Sequence, residues 1–357
     1  MNQKQPYIVL NGRDLQKQCE TPLQKGSAGA WNVTSRNELL HPDDLVIRDA
    51  GNGTSYVASR KLGKSFFDAM LPQRTHAFTM MLGAICGDVA GSVYEFDNIK
   101  EVPDPDHLVV PLAHFTDDSV MTLGVAEGIM HAMQRSGVRE GFSQQEESLF
   151  LQEIAASVRT WGLRYPRAGY GRFFLRWLND PEQGPYQSWG NGSAMRASYA
   201  GYAAKTLEDA QWLAKVSACI THDHPKGIEG AQAVAGGIWL LRQGSSKEDV
   251  LRYARQYYDM NFTLDAIREE YCFDVSCEGS VPQAIRAFWE GNSFEEVLAL
   301  AISIGGDSDT IAAIAGSLAE LVYPIPEGLR DRVLARLDPD FKATLADVID
   351  YLCDETP

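Results

Sequence analysis

Helical periodicity is the feature that most constrains the fold of this chain. From about residue 74, apolar residues recur every three or four positions, as Ala210 and Ala214 do within 207–219, and this is the period of an amphipathic α-helix. Strand-like alternation is scarce after residue 112, and the chain shows no repeat of fixed length. We therefore predict one all-α bundle of ten or more helices. The predicted helical segments are residues 77–93, 120–134, 146–163, 193–204, 207–219, 228–243, 247–258, 282–289, 294–304, 310–322, 328–337 and 341–352.

Residues 1–73 differ from this pattern. They are rich in Gln, Lys and Asn at the start, contain the turn-forming sequences NG and GNG, and hold no helical period for three turns. Short apolar runs at 7–10 and 45–47 predict one or two short strands. Residues 1–75 carry a net charge of +3, whereas the remaining residues carry −19. We predict a short irregular N-terminal extension at 1–73 and one helical domain at 74–357.

The bulk composition excludes several classes of protein. A net charge of −16 leaves no basic footprint for a nucleic acid, so we expect no nucleic-acid partner. No stretch reaches the roughly 18–20 apolar residues that span a bilayer, and the first residues hold no secretory signal. We therefore expect no membrane partner and a cytoplasmic location. The six cysteines form no C-x-x-C pair and stand mostly in apolar helical contexts, which favours buried free thiols over disulfides.

Two short acidic clusters stand at the starts of apolar helices, with the sequence TDDS at 116–119 and GGDSDT at 305–310. Each on its own fits a helix N-cap, because carboxylates and hydroxyls are favoured at the positive end of a helix. Together they offer four carboxylates and two hydroxyls, hard oxygen ligands that suit Mg²⁺, Mn²⁺ or Ca²⁺ better than Zn²⁺ and could hold two ions. This joint interpretation requires that the two helices meet in space. The six candidate metal ligands are Thr116, Asp117, Asp118, Asp307, Asp309 and Thr310.

A third motif, GDVAGSVYEF at 87–96, combines small residues with two carboxylates. Closely spaced Gly and Ala let another helix or a ligand approach the backbone, at a cost of about 1 kcal/mol per glycine relative to alanine. Asp88 lies inside this stretch, where a functional role and a structural hydrogen bond to a neighbouring helix terminus both fit. Glu95 stands at the end of the predicted helix. It could belong to a functional site, or it could simply be a surface residue at the helix end.

Three further segments could contact a ligand. The GNG turn within 188–196 precedes a helix and exposes backbone N–H groups, which can cradle an anion such as a phosphate, although a plain loop-to-helix connection fits as well. His222 suits contact with a ligand better than metal binding, with a structural role as the alternative. The segment 164–172 is basic and aromatic and contains Tyr170. It could contact the diphosphate or the adenine of a nucleotide ligand, and a solvated loop fits equally well.

The motifs taken in order resemble the ADP-ribosylglycohydrolase family, which includes the dinitrogenase reductase-activating glycohydrolases and the mammalian ADP-ribosylarginine hydrolases. The order is G-D-x-x-G-x-x-x-E, T-D-D-S, G-N-G-S-A-M-R, T-H-x-H-P and G-G-D-x-D-T. The resemblance runs from about residue 74 to about residue 352. It implies an orthogonal all-α bundle with two magnesium ions in a cleft.

The resemblance also implies roles for individual positions. The two acidic clusters would hold two Mg²⁺, or Mn²⁺, and Glu95 would act in catalysis together with Asp307. The positions expected to contact the ligand, from the resemblance or from their own pattern, are Gly190, Asn191, Gly192, Ser193, Met195, Tyr170 and His222. One departure is notable, since some arginine-specific members carry a carboxylate between the second and third motifs, whereas residues 164–177 contain neither Asp nor Glu.

The implied reaction cleaves the glycosidic bond at C1 of the distal ribose in an ADP-ribosylated protein, with arginine as the expected linkage. Its transition state should have oxocarbenium character. A water molecule, deprotonated with the help of the metal ions or of Glu95, would attack C1. We expect Asp307 and Asp309 to anchor both ions, and Asp117 and Asp118 to complete the cage.

The N-terminal extension suggests a second hypothesis. Residues 1–73 resemble the extension of bacterial immunity proteins of this family, which plug the active site of an ADP-ribosylating toxin and also reverse its modification. An ADP-ribosyltransferase toxin is therefore the candidate partner, and a stoichiometric inhibitor that acts by occlusion is an alternative function. An inactive ADP-ribose-binding protein, and a hydrolase of serine-linked, nucleic-acid-linked or small-molecule ADP-ribose, are further alternatives.

Overall fold

The computed structural model describes residues 10–11, 31–32, 39–40, 45–49, 54–59 and 80–353. The chain divides into two compact units, Met1–Ala77 and Phe78–Pro357.

The described part of the N-terminal unit consists of five short strands. Strands β1 (Leu10–Asn11), β4 (Leu45–Asp49) and β5 (Thr54–Ser59) form an antiparallel sheet in the order β1-β5-β4, and β2 (Trp31–Asn32) pairs antiparallel with β3 (Leu39–Leu40). The sequence predicts only one or two strands, because strands of two residues are too short to leave an alternating pattern. The rest of the predicted extension lies outside the described residues.

The described part of the C-terminal unit is all-α, which confirms the predicted fold class. Fourteen α-helices and two short 3-10 turns, Pro105–His107 and Asn191–Ser193, are found among residues 80–353. The helices are α1 Leu82–Gly91, α2 Asp117–Ser136, α3 Gln144–Arg164, α4 Arg172–Asn179, α5 Ser198–Ala203, α6 Leu207–Cys219, α7 Pro225–Arg242, α8 Lys247–Ala254, α9 Leu264–Ile267, α10 Cys277–Glu290, α11 Phe294–Ser303, α12 Ser308–Ala319, α13 Glu327–Leu334 and α14 Pro339–Cys353. No helix in the described part of the chain is long and apolar enough to cross a membrane.

Hydroxyl side chains fix where many of these helices begin. At each such start a Ser or Thr oxygen accepts a hydrogen bond from a backbone N–H of the first turn, which would otherwise lack a partner. Ser143 adds a full capping box with Glu146. The capping residues are Thr116, Ser143, Thr206, Ser246, Thr263, Ser276 and Ser293.

Helix α1 is buried along its whole length and packs against α12 through glycine. A Cβ atom added to Gly83 would lie 2.2 Å from Gly316 O, and one added to Gly87 would lie 2.0 Å from Ala312 O. A Cβ at Gly91 would lie 2.4 Å from the Cα of Asp309. The small residues of the third motif therefore allow a second helix to approach the backbone. This packing carries the end of α1 to the start of α12.

The single-turn helix α9 is not predicted, and α10 begins five residues before its predicted start. Two further segments also differ from the helices that the sequence predicts. No helix is predicted at α4, because it has only two turns and exposed Phe173 beside buried Phe174 and Trp177 obscures its period. The predicted helix at 193–204 is interrupted, because the backbone first makes a 3-10 turn in which Ala194 N donates to Asn191 O at 2.8 Å. Helix α5 begins only at Ser198.

Candidate active site

The N-termini of α2 and α12 face each other, so the spatial condition for a joint acidic site is met. Thr310 Oγ1 donates a hydrogen bond to Asp118 Oδ2 at 3.0 Å, between residues 192 positions apart in sequence. Thr116 Oγ1 lies 3.3 Å from Asp309 Oδ2. The two acidic clusters are therefore in direct contact.

Asp88 joins α1 to this pair of helix starts. Its fully buried carboxylate accepts hydrogen bonds from Thr116 N at 2.9 Å, Thr116 Oγ1 at 2.8 Å and Ser119 N at 3.0 Å, and also contacts Ser119 Oγ. Both N–H groups belong to the start of α2, where a carboxylate is favoured. The structural interpretation of Asp88, a hydrogen bond to a neighbouring helix terminus, is therefore confirmed.

A cavity of about 420 Å³ opens at this junction. Eleven of the candidate site residues line it, and they come from all five sequence motifs. They are Glu95, Asp117, Asp118, Gly190, Asn191, Gly192, Met195, His222, Asp307, Asp309 and Thr310.

Three candidate site residues are buried and are not among the residues that line the cavity. Thr116 is 5% exposed and is bonded to Asp88. Ser193 is fully buried, and its Oγ donates to Gly227 O at 2.7 Å. Tyr170 is 7% exposed and packs its ring on Phe174, with 5.2 Å between the ring centroids.

The cavity also has lining residues that were not among the individual candidate site residues, although some of them belong to the segments 164–172 and 188–196 that the sequence singled out. Arg196 is 1% exposed. It belongs to the G-N-G-S-A-M-R motif, and this membership could have identified it as a site residue from the sequence. Phe273 and Val275 stand in a loop, where apolar residues have no periodicity to reveal them. The full set is Met121, Gly169, Gly171, Arg172, Phe173, Phe174, Tyr186, Ser188, Arg196, Phe273 and Val275.

Burial and mutual repulsion raise the pKa values of the cavity carboxyls. Burial is the main cause that raises the pKa of Glu95 to about 7, and the charges of Asp307 and Asp88 add to it. Burial, followed by the same two charges, raises the pKa of Asp117 to about 8. In both residues the charged form is disfavoured because it is desolvated beside other carboxylates. A cation placed among them would reverse this effect.

The donor set fits a divalent metal ion with oxygen ligands. Carboxylate oxygens of Glu95, Asp307 and Asp309 lie within 4.8 Å of one another. Asp118 Oδ1 is buried and has no hydrogen-bond partner among the described residues, a costly arrangement that a bound cation would relieve. The cavity lining contains no cysteine and one histidine, His222, so hard cations such as Mg²⁺ or Mn²⁺ are favoured over Zn²⁺.

The GNG loop is fastened next to this carboxylate cluster. Asn191 Nδ2 donates to Asp307 Oδ2 at 2.6 Å and to Ser280 Oγ at 2.9 Å. Its backbone N–H donates to Val275 O at 2.7 Å. The loop therefore forms one wall of the cavity and is tied both to the acidic site and to the start of α10.

His222 is buried against the same loop. A Cβ added to Gly192 would lie 3.2 Å from His222 Nε2, and His222 Nδ1 lies 2.7 Å from Thr221 Oγ1. Burial, followed by the charge of Arg196, lowers the pKa of His222 well below its usual value. The imidazole is therefore neutral near pH 7.

Comparison with known proteins gives consistent results. ADP-ribosylhydrolase ARH3 of Mus musculus is 26% identical over 319 residues, covering 68% of this chain and 82% of that protein. ADP-ribosylarginine hydrolase Tri1 of Pseudomonas putida is 24% identical over 268 residues, covering 69% of this chain and 70% of that protein. A solved structure described as an ADP-ribosylglycohydrolase-related protein complex has a TM-score of 0.52 at 25% identity, covering 79% of this chain and 99% of that chain.

The family model of the ADP-ribosylglycohydrolases matches residues 71–356, which contain every residue of the cavity described above. Because this match spans most of the sequence, the chain belongs to the ADP-ribosylglycohydrolase family and is an enzyme that hydrolyses bonds to ADP-ribose.

Proposed function

We propose that this enzyme uses two Mg²⁺ ions to remove ADP-ribose from modified arginine side chains. The observation that carries the proposal is the set of five carboxylates from three separate segments that face one cavity of about 420 Å³. They are Glu95, Asp117, Asp118, Asp307 and Asp309. Mn²⁺ has similar ligand preferences and is expected to substitute.

The residues divide into metal ligands and a base. Asp307 and Asp309 would anchor the ions, and Asp117, Asp118, Thr310 and the hydroxyl of Thr116 would complete the ligand set. Bound metal ions would act as Lewis acids that bind and orient the ribose hydroxyls. Glu95, whose carboxylate lies within 4.8 Å of those of Asp307 and Asp309, accepts the proton of the water that attacks C1.

The remaining cavity wall would hold the nucleotide part of the substrate. Gly190, Asn191 and Gly192 present a loop that contacts ADP-ribose, with Met195 and neutral His222 beside it. Ser193 and Tyr170 are buried and do not line the cavity, so they would support this wall rather than contact the ligand.

Two observations bear on the linkage in opposite ways. Pseudomonas putida Tri1 is named as an ADP-ribosylarginine hydrolase, and an acidic cavity suits a cationic guanidinium product. The segment at 169–174 lines the same cavity, however, and it carries Arg172 and no carboxylate. We therefore keep a different linkage, such as the O-glycosidic bond to a serine side chain, as the second candidate.

The test is the release of ADP-ribose from arginine-linked and serine-linked ADP-ribosylated proteins, with Mg²⁺, with Mn²⁺ and with EDTA. Wild type is compared with Asp307→Ala and with Asp209→Ala. Asp209 is a matched control, because it is 3% exposed and bonded to Gly141 N at 2.9 Å but does not line the cavity. Metal-dependent release that only Asp307→Ala loses supports the proposal, and the preferred substrate identifies the linkage. Release by Asp307→Ala at the wild-type rate would refute the metal site.

We also propose that residues 1–73 bind an ADP-ribosyltransferase toxin and occlude it. The support is the charge contrast, since residues 1–75 carry +3 and the remainder −19. The experiment compares the full chain with a chain that begins at residue 74 in binding to a purified transferase. Equal affinity of the two proteins excludes the occlusion hypothesis and leaves the hydrolase proposal unaffected.

A further inference from the structure

Lys100 makes an unusual set of contacts near the end of the segment that carries Glu95. Its Nζ donates hydrogen bonds to Tyr271 O at 2.5 Å and to Ile304 O at 2.6 Å, and it lies 5.7 Å from the centroid of the Tyr271 ring. Ile304 caps the C-terminus of α11, where the helix dipole favours a cation. One ammonium group therefore joins three segments that are distant in sequence.

A second link connects the same segment to the loop that leads into α12. Gly306 N donates to Asn98 Oδ1 at 3.1 Å, and Asn98 has a positive φ of 46°. Gly305 also has a positive φ, of 72°, and a Cβ at this position would lie 2.4 Å from Asn98 Oδ1. Gly306 also has a φ of 72°, and a Cβ there would lie 2.5 Å from Cε1 of Tyr271. Both glycines are needed because the backbone is left-handed and closely surrounded.

Both links are close in sequence to residues of the acidic site. Glu95 stands five residues before Lys100, and Asp307 directly follows Gly306. The carboxylates of Glu95 and Asp307 belong to the cluster whose oxygens lie within 4.8 Å of one another. Residues 92–97 form turns after α1, in which Tyr94 N donates to Gly91 O at 2.8 Å and Asp97 N donates to Tyr94 O at 3.0 Å. Residues 98–100 are in neither a helix nor a turn, so the far end of the segment is held by the side-chain links of Asn98 and Lys100.

We propose that Lys100 is a positioning residue, which fixes the Glu95-bearing segment 94–100 to the loop before α12 and so sets the place of the Glu95 carboxylate over the cavity. The inference rests on the proposed role of Glu95. Lysine suits this function because its ammonium group donates in three directions and can satisfy two carbonyls at once.

The experiment uses the full chain as wild type, Lys100→Met, Lys100→Arg and Lys247→Met. Lys247 is a matched control, because its Nζ donates to Gly291 O at 2.5 Å and to the Tyr323 hydroxyl at 3.0 Å, which lie outside segment 94–100 and outside the loop before α12. Two quantities are measured: kcat and KM for ADP-ribose release, and the hydrogen exchange of backbone amides by mass spectrometry. Exchange does not depend on activity, so it decides the structural part even when wild type releases nothing and the proposed function has failed.

We expect Lys100→Met to lower kcat about 10- to 100-fold with KM little changed, since a displacement of about 1 Å in a catalytic group has that effect. Exchange at 94–100 and at 302–306 should become at least about tenfold faster. Lys100→Arg should recover part of kcat, and Lys247→Met should change neither quantity at these segments. Unchanged exchange in Lys100→Met, or an equal loss of kcat in Lys247→Met, would overturn the proposal.

Discussion

Asn191 donates a hydrogen bond from its Nδ2 to Asp307 Oδ2 at 2.6 Å, across 116 residues of sequence. One side chain thus connects the loop proposed to contact ADP-ribose with the carboxylate proposed to anchor the metal ions. The bond fixes the orientation of Asp307 and uses one of its four lone-pair positions. The ligand wall and the metal site are therefore mechanically coupled.

Loss of this bond should weaken metal binding. Hydrogen-bond partners of metal ligands commonly contribute 10- to 100-fold in affinity or activity, so we expect Asn191→Ala to lower Mg²⁺ affinity about tenfold or more. Isothermal titration calorimetry with Mg²⁺ measures this affinity. Ser280→Ala is the control, since Ser280 Oγ is the other acceptor of Asn191 Nδ2, at 2.9 Å. The coupling is refuted when both variants bind Mg²⁺ as tightly as wild type.

Substitution of Asp88 should lower the free energy of unfolding, whether or not metal is bound. Asp88→Ala leaves the buried N–H groups of Thr116 and Ser119 without their acceptor, at about 1–3 kcal/mol for each unsatisfied group. We expect the free energy of unfolding in urea, measured with EDTA present, to fall by about 3 kcal/mol or more. Ser119→Ala removes only one donor and should cost about 1 kcal/mol. Equal effects of the two substitutions would contradict the capping role of Asp88.

The sequence predicted the all-α class and, to within three residues, the starts of α2 and α12, because helical period and capping residues are local signals. It did not predict how far the two starts lie apart, since that distance depends on the packing of α1 against α12. The role of Asn191 as a donor to Asp307 was likewise hidden, because no local pattern links two residues so distant in sequence. Phe273 in the cavity wall gave no signal for a similar reason.

The close packing of α1 on α12 should make Gly87 intolerant of a side chain. The added Cβ in Gly87→Ala would lie 2.0 Å from Ala312 O, so the helices must separate. We expect the free energy of unfolding to fall by about 3 kcal/mol, at the upper end of overpacking effects. Gly328→Ala in α13 is the control, because the nearest atom to its Cβ is Arg332 Nη1 at 3.6 Å. That change should stabilise the protein by up to about 1 kcal/mol. An unchanged free energy of unfolding in Gly87→Ala would show that α1 and α12 have room for a methyl group at this contact.

The raised carboxyl pKa values predict how Mg²⁺ affects stability at different pH. In the folded protein without metal, the pKa of Glu95 is about 7 and that of Asp117 about 8, whereas carboxyls of an unfolded chain titrate near pH 4. Between these values the folded state binds more protons than the unfolded state, so the free energy of unfolding falls as pH rises from about 5 to 8.

A bound cation favours the ionised carboxylates and removes this loss. Mg²⁺ should therefore raise the Tm more at pH 8 than at pH 5.5, because at the lower pH protons compete with the ion for the same oxygens. Thermal unfolding with Mg²⁺ and with EDTA at both pH values measures the effect. Asp307→Ala should lose most of the Mg²⁺-dependent shift at pH 8. A shift of equal size at both pH values would mean that the ion binds away from the cavity carboxyls.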